Sequence, residues 1–213
     1  MASSTSAGGM RRTPRQGRSQ ERVNRILNVA EELFIAEGYT ATTTNTIATR
    51  AQVPIGSLYQ FFPDKAAILQ ALARRYTEKL HQALLEFHQQ ENLELPLPLY
   101  VEQMIEVTNR FFTTHPGYHA IFMEVQGTMP ELGEIEATAD TQLIQEFTRS
   151  IAQRNPALTR EDCEAIAFVL VKTIGTLLWL ALSQEGGFRD RLVAETKKLA
   201  LGYLQTYFTP LRR

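Results

Sequence analysis

The stretch that decides the fold is Thr46–Leu69, TIATRAQVPIGSLYQFFPDKAAIL, which holds two short helical patterns joined by about three residues. The first pattern predicts a helix over about Thr44–Ala51, with Thr43 or Thr44 as its N-cap. The second follows Pro54, which suits the first position of a helix, and ends before Pro63. Small or apolar residues recur where two such helices would touch: Ile47, Ala48, Ala51, Val53, Leu58 and Phe61. This arrangement predicts a helix-turn-helix unit.

The outer face of the second helix carries side chains suited to the edges of DNA bases. Its residues are small or able to form hydrogen bonds at the start, and the last two reach farther: Ile55, Gly56, Ser57, Tyr59 and Gln60. A helix must be slim at its N-terminal end to enter the major groove, which is about 12 Å wide. The hydroxyls of Thr43 and Thr44, and Lys65 near the start of the next helix, can bind flanking phosphates. The segment therefore predicts one surface for double-stranded DNA.

The segment Gly38–Leu69 resembles part of the N-terminal DNA-binding domain of the TetR family of bacterial transcriptional regulators. The resemblance rests on a series of short motifs in the family's order: FIAEGY at Phe34–Tyr39, then Thr-Thr, Ile-Ala, Gly-x-Leu-Tyr and Phe-x-x-Lys. It covers about Ser19–Leu69, roughly a quarter of the chain. It implies operator contacts from Thr44 and Asn45 and from the outer face of the second helix, with Lys65 on a phosphate. It also implies that the remainder is a divergent ligand-binding domain.

Two residues of the turn depart from the family pattern. Gln52 stands in place of the turn glycine, and Pro54 stands in place of the usual serine. A left-handed backbone at Gln52 would cost about 1 kcal/mol, because a side chain crowds that conformation. Pro54 cannot supply a side-chain cap for the helix that follows it.

The rest of the chain is helical in pattern. Apolar spacings of three and four predict a first helix over Ser19–Glu37 and a fourth from Lys65 to about Gln90, capped by Asp64. Five more helices are predicted over about Leu99–Thr114, Tyr118–Gly127, Glu131–Asn155, Arg160–Gln184 and Arg189–Phe208, separated by HPG, MPELG, NPA and EGG. No stretch sustains period-two alternation, so the class is all-α with about nine helices. We expect a disordered basic arm at 1–18, a helix-turn-helix domain at 19–65, and an effector-binding and dimerisation domain at 66–213.

Composition indicates a soluble intracellular protein. Of the 213 residues, 44% are hydrophobic and 21% are charged. The longest apolar run, Val169–Leu182, is interrupted by Lys172 and stops short of the roughly 18 to 20 residues of a membrane span. The N-terminus lacks the apolar centre of a secretory signal, and Cys163, the single cysteine, cannot form an internal disulfide. We therefore expect a cytoplasmic location and no membrane partner.

Charge is distributed unevenly along the chain. Residues 1–65 hold eight Lys and Arg against five acidic residues, a net charge of +3, whereas the remainder carries −4. The positive part is the part suited to a polyanion. Within it, Arg11, Arg12, Arg15 and Arg18 form an arm that either contacts the minor groove or phosphates, or is a solvated tail.

The apolar C-terminal helices predict a homodimer and a ligand pocket. Helices as apolar as 160–184 and 189–208 are deeply buried or pack against another subunit, and we expect them to form a contact similar to the family's four-helix interface. A cavity between helices would hold a lipophilic effector. Its candidate lining residues, each of which taken alone is more often a core residue than part of a pocket, are Met104, Phe111, Phe112, Phe122, Met123, Phe147 and Trp179. The histidines and Cys163 show no HExxH or triad pattern, so we expect no metal, cofactor or catalytic site.

These features favour a transcriptional regulator, most directly a repressor released from its operator by a small lipophilic ligand. One short recognition helix contacts few bases, whereas two helices related by a twofold axis read a near-palindromic operator with half-sites about 34 to 36 Å apart or more. An activator or a ligand-independent regulator would share the motif. An all-α enzyme or lipid carrier is a further alternative, although the apolar helices bring together no acid, base or metal ligand.

Overall fold

The computed structural model describes residues 17–88, 94–125 and 129–208, without the side chains of 120 and 123–125. Within these ranges the regular structure consists of nine helices and no strand. The helices are α1 Gly17–Glu37, α2 Thr44–Arg50, α3 Ile55–Phe61, α4 Lys65–Phe87, α5 Leu97–Thr114, α6 Pro116–Val125, α7 Pro130–Arg154, α8 Arg160–Ala181 and α9 Gly186–Phe208. The predicted all-α class is confirmed.

Local signals fix the ends of the first four helices. Gly38 follows α1 with a φ of 84°, a left-handed conformation that glycine adopts without strain. Thr43 caps α2, since its hydroxyl oxygen accepts the Thr46 N–H at 3.1 Å. Asp64 caps α4 by accepting the Ala67 N–H at 2.8 Å. Both predicted caps are confirmed.

The turn between α2 and α3 has the strained residue that the sequence indicates. Gln52 has a φ of 54°, and Pro54 precedes α3 without a side-chain cap. The turn is closed by the Val53 N–H, which donates to the Ala48 carbonyl at 3.0 Å. The contact residues predicted for the helix pair, from Ile47 to Phe61, are all buried.

The chain separates into two compact units. Of the described residues, the first unit contains those within Met1–Thr77 and Gly117–Glu136, and the second contains those within Glu78–Pro116 and Ala137–Arg213. Most of α6 and the start of α7 therefore belong to the same unit as the helix-turn-helix. The predicted boundary between residues 65 and 66 stays a prediction.

In the first unit, α6 packs on α1 and α4 around a buried tyrosine. Tyr76 is fully buried, its hydroxyl donates to Glu31, and its ring lies 4.9 Å from that of Tyr118. A Cβ at Gly117 would lie 2.5 Å from Ile35 Cδ1 and 3.1 Å from Tyr76 Oη. Glycine at 117 therefore permits this close approach.

The second unit is held together by packing of α5, α8 and α9 and by ion pairs between helices. Lys197 of α9 lies 3.2 Å from a Glu106 carboxylate oxygen of α5, and Lys172 of α8 pairs with Asp140 of α7. Thr159 and Asp162 form a reciprocal capping box at the start of α8.

Two predicted helix ends in this unit are wrong. α8 ends at Ala181, not at Gln184, and α9 begins at Gly186, not at Arg189. The EGG sequence opens a helix because the N–H groups of Phe188 and Arg189 both reach the Glu185 carbonyl, at 3.0 and 2.9 Å.

Helix α8 also corrects the expectation that no apolar stretch reaches membrane length. By length and composition it is long and apolar enough to cross a membrane, with a mean hydropathy of 1.7 over its most apolar 18-residue window, and 33% of that window is buried. Its buried residues, among them Ile166, Leu170, Ile174 and Leu178, recur every four residues. This is the spacing of a helix that packs along one side.

Candidate nucleic-acid interface and ligand cavity

Helix α3 has one buried and one exposed face, divided as predicted. Leu58 and Phe61 are 0% and 3% exposed, whereas Ile55 and Tyr59 are 37% and 40% exposed. Gly56 and Gln60 are exposed, and Ser57 is half-buried. Phe62, directly after the helix, is fully buried. The aromatic residues of the segment are thus split, with Tyr59 outside and the two phenylalanines inside.

Gly56 has no packing reason to be a glycine. A Cβ at this position would meet no atom within 4 Å, so an alanine side chain fits the fold. Its backbone conformation is helical, in which glycine is less favourable than alanine. A residue without a side chain at the exposed start of a helix leaves room for another molecule to approach the backbone closely.

Hydroxyl groups connect the start of α2 to α3. The Thr44 and Tyr59 hydroxyl oxygens lie 3.0 Å apart, and those of Thr43 and Thr46 lie 2.8 Å apart. Asn45 is exposed beside them. In each hydroxyl pair one hydrogen bridges the two oxygens, and the other hydrogen can serve an acceptor such as a phosphate oxygen. Thr46 was missed in the sequence, although its spacing of three from the Thr43 cap was a usable signal.

The ammonium group of Lys65 lies on the main chain of the segment that precedes α2. Its Nζ donates to the carbonyls of Tyr39, Thr40 and Thr42 at 2.6, 3.2 and 2.8 Å, and it lies 4.3 Å from the centre of the Tyr39 ring. An ammonium group has three N–H donors. In this conformation Lys65 therefore fixes the loop at 39–42, and a phosphate contact from its ammonium would replace one of these bonds.

The basic arm is described only at its end. Arg11, Arg12 and Arg15 lie outside the described residues, and Arg18 belongs to α1, where it is exposed. Within the described part of the first unit, Arg22, Arg25 and Arg50 are also exposed.

A cavity in the second unit contains part of the predicted pocket. Met104 and Phe147 line it, with further apolar walls from Leu97, Ile151, Leu204 and Phe208. Phe111, Phe112 and Trp179 pack elsewhere in the unit: the Phe112 ring lies 5.8 Å from Phe111 and 6.0 Å from Trp179. Phe122 belongs to the first unit, where its ring lies 4.6 Å from Tyr118. The Met123 side chain lies outside what the structure describes.

The polar residues of this cavity were not found in the sequence. Tyr100, Ser150 and Arg154 line it beside the apolar residues. The helical spacing of α7 could have identified two of them. Four residues recur there at spacings of three and four and therefore share one face of the helix: Phe147, Ser150, Ile151 and Arg154. The sequence prediction for the pocket included only Phe147 from this face.

Comparison with known proteins agrees with this architecture. Residues 26–72 match the family described as bacterial regulatory proteins, tetR family. Residues 96–204, half of the chain, match the tetracyclin repressor-like C-terminal domain. The HTH-type transcriptional repressor BepR of Brucella suis is 28% identical over 189 residues, which cover 84% of this chain and 88% of the relative.

Two solved structures share the fold. A TetR-family transcriptional regulator from Streptomyces coelicolor has 25% identity and a TM-score of 0.65, covering 88% of this chain and 98% of that one. A second, from Mesorhizobium loti, has 15% identity and a TM-score of 0.71, covering 90% and 98%. The helix-turn-helix geometry and the two family matches lead to one conclusion: this chain is a DNA-binding transcriptional regulator and belongs to the TetR family.

Proposed function

We propose that the protein is a cytoplasmic, homodimeric repressor that leaves a near-palindromic operator when a small lipophilic ligand binds its second unit. The observation that carries the proposal is the outer face of α3. Leu58 and Phe61 are buried, and what remains outside is Ile55, a glycine, two polar side chains and one tyrosine. BepR, similar over most of both chains, is named a repressor, which supports the proposed sign of regulation.

In the proposed complex, α3 enters the major groove and its neighbours hold the backbone. Ser57 and Gln60 supply hydrogen-bonding groups for base edges, and Gly56 allows the helix to approach them. The paired hydroxyls of Thr44 and Tyr59, 3.0 Å apart, are placed for a shared phosphate. Lys65 supports this site by fixing the loop before α2 and by adding positive charge.

The dimer is proposed to form through α8 and α9. Apolar side chains remain exposed on both helices: Phe168, Val169 and Leu180 on α8, and Phe188 and Leu199 on α9, each 41% to 55% exposed. Large apolar groups gathered on neighbouring helices mark an interaction surface. A second copy of the same chain is the occupant that also supplies the second recognition helix of a twofold-symmetric operator complex.

Ligand control is proposed to act as a population shift. Helix α4 contributes residues to both units, since it runs through the boundary at Thr77. A ligand that weakens DNA binding a hundredfold must bind the DNA-bound dimer a hundredfold less tightly than the free dimer, a difference of about 2.7 kcal/mol. Equal ligand affinity for the free and DNA-bound protein would refute induction.

The test is selection of bound DNA from a random pool with the purified protein. We expect an enriched near-palindrome, and failure to enrich any sequence would refute sequence-specific binding. A reporter gene behind the recovered operator then decides the sign of regulation. Expression that falls when the protein is present supports repression, and expression that rises identifies an activator.

A further inference from the structure

Helix α1 has two flanks beside its buried face, and one of them contacts other helices of the first unit. The residues of this flank recur at spacings of three and four: Gln20, Asn24, Asn28, Glu31 and Ile35. Along it, Asn28 Oδ1 accepts a hydrogen bond from Arg75 Nη1 of α4 at 2.6 Å, and Ile35 lies against Gly117 of α6. This flank is therefore turned toward α4 and α6.

The other flank of α1 carries three arginines and borders the buried face from the opposite side. They recur at spacings of four and three, so they share one side of the helix over about 10 Å of its axis: Arg18, Arg22 and Arg25. All three side chains are exposed. Glu21 is exposed beside them, and among the described residues none of the four forms an ion pair. We call the three arginines the arginine flank.

The stability of α1 does not account for this placement of charge. A helix dipole is positive at the N-terminus, where acidic side chains are favourable and basic ones are unfavourable. The first turn of α1 has no acidic residue and includes Arg18, and the last turn has no basic residue. Acidic residues instead occupy the C-terminal half, at Glu31, Glu32 and Glu37. Because the charges of α1 oppose its dipole, their position indicates a partner outside the helix.

The chemistry of the arginine flank fits a row of phosphates. A guanidinium group offers parallel N–H donors that match a phosphate. One strand of DNA presents a phosphate about every 3.4 Å of helix axis, so a length of about 10 Å spans about three of them. Positive charge also continues in the sequence ahead of α1, since Arg11, Arg12 and Arg15 precede the first acidic residue of the chain, Glu21.

The arginine flank belongs to the same unit as the helix-turn-helix. Helix α1 packs on α2, and the loop of residues 38–43 connects α1 to the Thr43 cap. In three-helix domains whose last helix enters the major groove, the segment that leads into the first helix lies at the neighbouring minor groove. The duplex that continues beyond the half-site is thus the polyanion available to this flank.

We propose that the arginine flank binds phosphates of the duplex beside each half-site, outside the bases that α3 contacts. Phosphate contacts fix the position of a protein on DNA and add affinity, but they carry no base-sequence information. In this arrangement α3 supplies the discrimination between sequences, and α1 supplies salt-sensitive affinity. The inference rests on the proposed operator binding and extends the interface to a helix outside the helix-turn-helix.

The salt dependence of operator binding tests the proposal. Fluorescence anisotropy measures the affinity of the full-length protein for the selected operator between about 50 and about 200 mM salt. Each neutralised phosphate contributes about 0.9 to the slope of log affinity against log salt concentration. A dimer presents Arg22 twice, so Arg22→Gln should reduce the magnitude of the slope by about 1.8. The affinity deficit of the variant should therefore shrink about tenfold across this salt range.

Two matched variants separate phosphate contact from other effects of the substitution. Arg22→Lys keeps the charge and should keep the slope of the parent protein. Arg74→Gln removes the same charge from α4, where Arg74 is exposed in the same unit, and it should also keep the parent slope. An equal fall in Arg22→Gln and Arg74→Gln would mean that only the net charge matters. That result, or an unchanged slope in Arg22→Gln, would overturn the proposal.

The length of the duplex locates the contact on the DNA. One duplex ends at the selected palindrome, and a second extends it by about ten base pairs, one helical turn, on each side. The parent protein should bind the longer duplex more tightly, whatever the added base sequence. A variant that combines Arg18→Gln, Arg22→Gln and Arg25→Gln should bind both duplexes equally. Equal binding of both duplexes by the parent protein would exclude phosphates beside the half-sites.

Denaturant unfolding separates a loss of folding from a loss of binding. Because the three arginines are exposed, each variant should unfold nearly like the parent protein. If Arg22→Gln does not fold, Arg25→Gln replaces it with the same expected fall in slope. Operator selection by the parent protein combined with unchanged slopes in the variants refutes this inference alone. Failure of the parent protein to select any operator refutes the proposed function.

Discussion

Replacing Gly56 by alanine should separate DNA binding from stability. The new Cβ would meet no atom of the protein within 4 Å, so the substitution creates no internal clash. Alanine is favoured over glycine in a helix by up to about 1 kcal/mol. We therefore expect the free energy of unfolding to be unchanged or to rise by up to that amount.

The unfavourable effect of Gly56→Ala should appear in the free energy of operator binding. An extra methyl group in a closely packed contact costs about 1 to 3 kcal/mol. The proposed dimer presents Gly56 twice, so the two half-sites together lose about 2 to 6 kcal/mol, and operator affinity falls about 30-fold or more.

Denaturant unfolding and fluorescence anisotropy with the selected operator measure the two effects. Gly133→Ala serves as the control, since Gly133 is an exposed helical glycine with equally open space around its Cβ. It should leave operator affinity unchanged. If Gly56→Ala binds the operator like the parent protein, the close approach of α3 to DNA is refuted.

Five further changes test other parts of the structure. Phe61→Ala should cost about 3 to 5 kcal/mol of stability because Phe61 is buried, whereas Tyr59→Ala should weaken operator binding and leave unfolding nearly unchanged. Gln52→Gly should raise stability by about 0.5 kcal/mol or more, since relief of the left-handed strain exceeds the added entropy of the unfolded chain. Lys65→Met should lower stability by about 2 kcal/mol, because charge-assisted bonds to three carbonyls are lost. Phe168→Glu should convert the dimer to monomers in analytical ultracentrifugation, because a charge would be buried in the proposed interface.

Four of these expectations have a specific opposing result. Unfolding caused by Tyr59→Ala would mean that the two faces of α3 are assigned wrongly. A lower stability of Gln52→Gly would show that the Gln52 side chain stabilises the turn. An unchanged stability of Lys65→Met would show that the hydrogen bonds of the Lys65 ammonium do not stabilise the fold in solution. A Phe168→Glu protein that stays dimeric would place the subunit contact elsewhere.

Much of the architecture follows from local sequence. The apolar spacing of α1, the Thr43 and Asp64 caps and the strained Gln52 turn were all expected, because each depends on residues within about one turn of one another. The two faces of α3 were also predictable, since a helix as short as Ile55–Phe61 can bury only one side. The helix ends near Gly186 were less predictable, because glycine is compatible both with the end of one helix and with the beginning of the next.

The sequence by itself thus determined the helices of the described residues, the helix-turn-helix and the exposed face of α3 that is proposed to contact DNA. Only the tertiary structure decided that Gly117–Glu136 belongs to the first unit, that the Lys65 ammonium lies on the carbonyls of residues 39–42, and that Arg154 reaches the cavity lined by Met104. These contacts join residues more than twenty positions apart. Periodicity identifies which face of a helix is apolar, but it does not specify the partner of that face, since many apolar faces can pack together and only the whole chain selects among them.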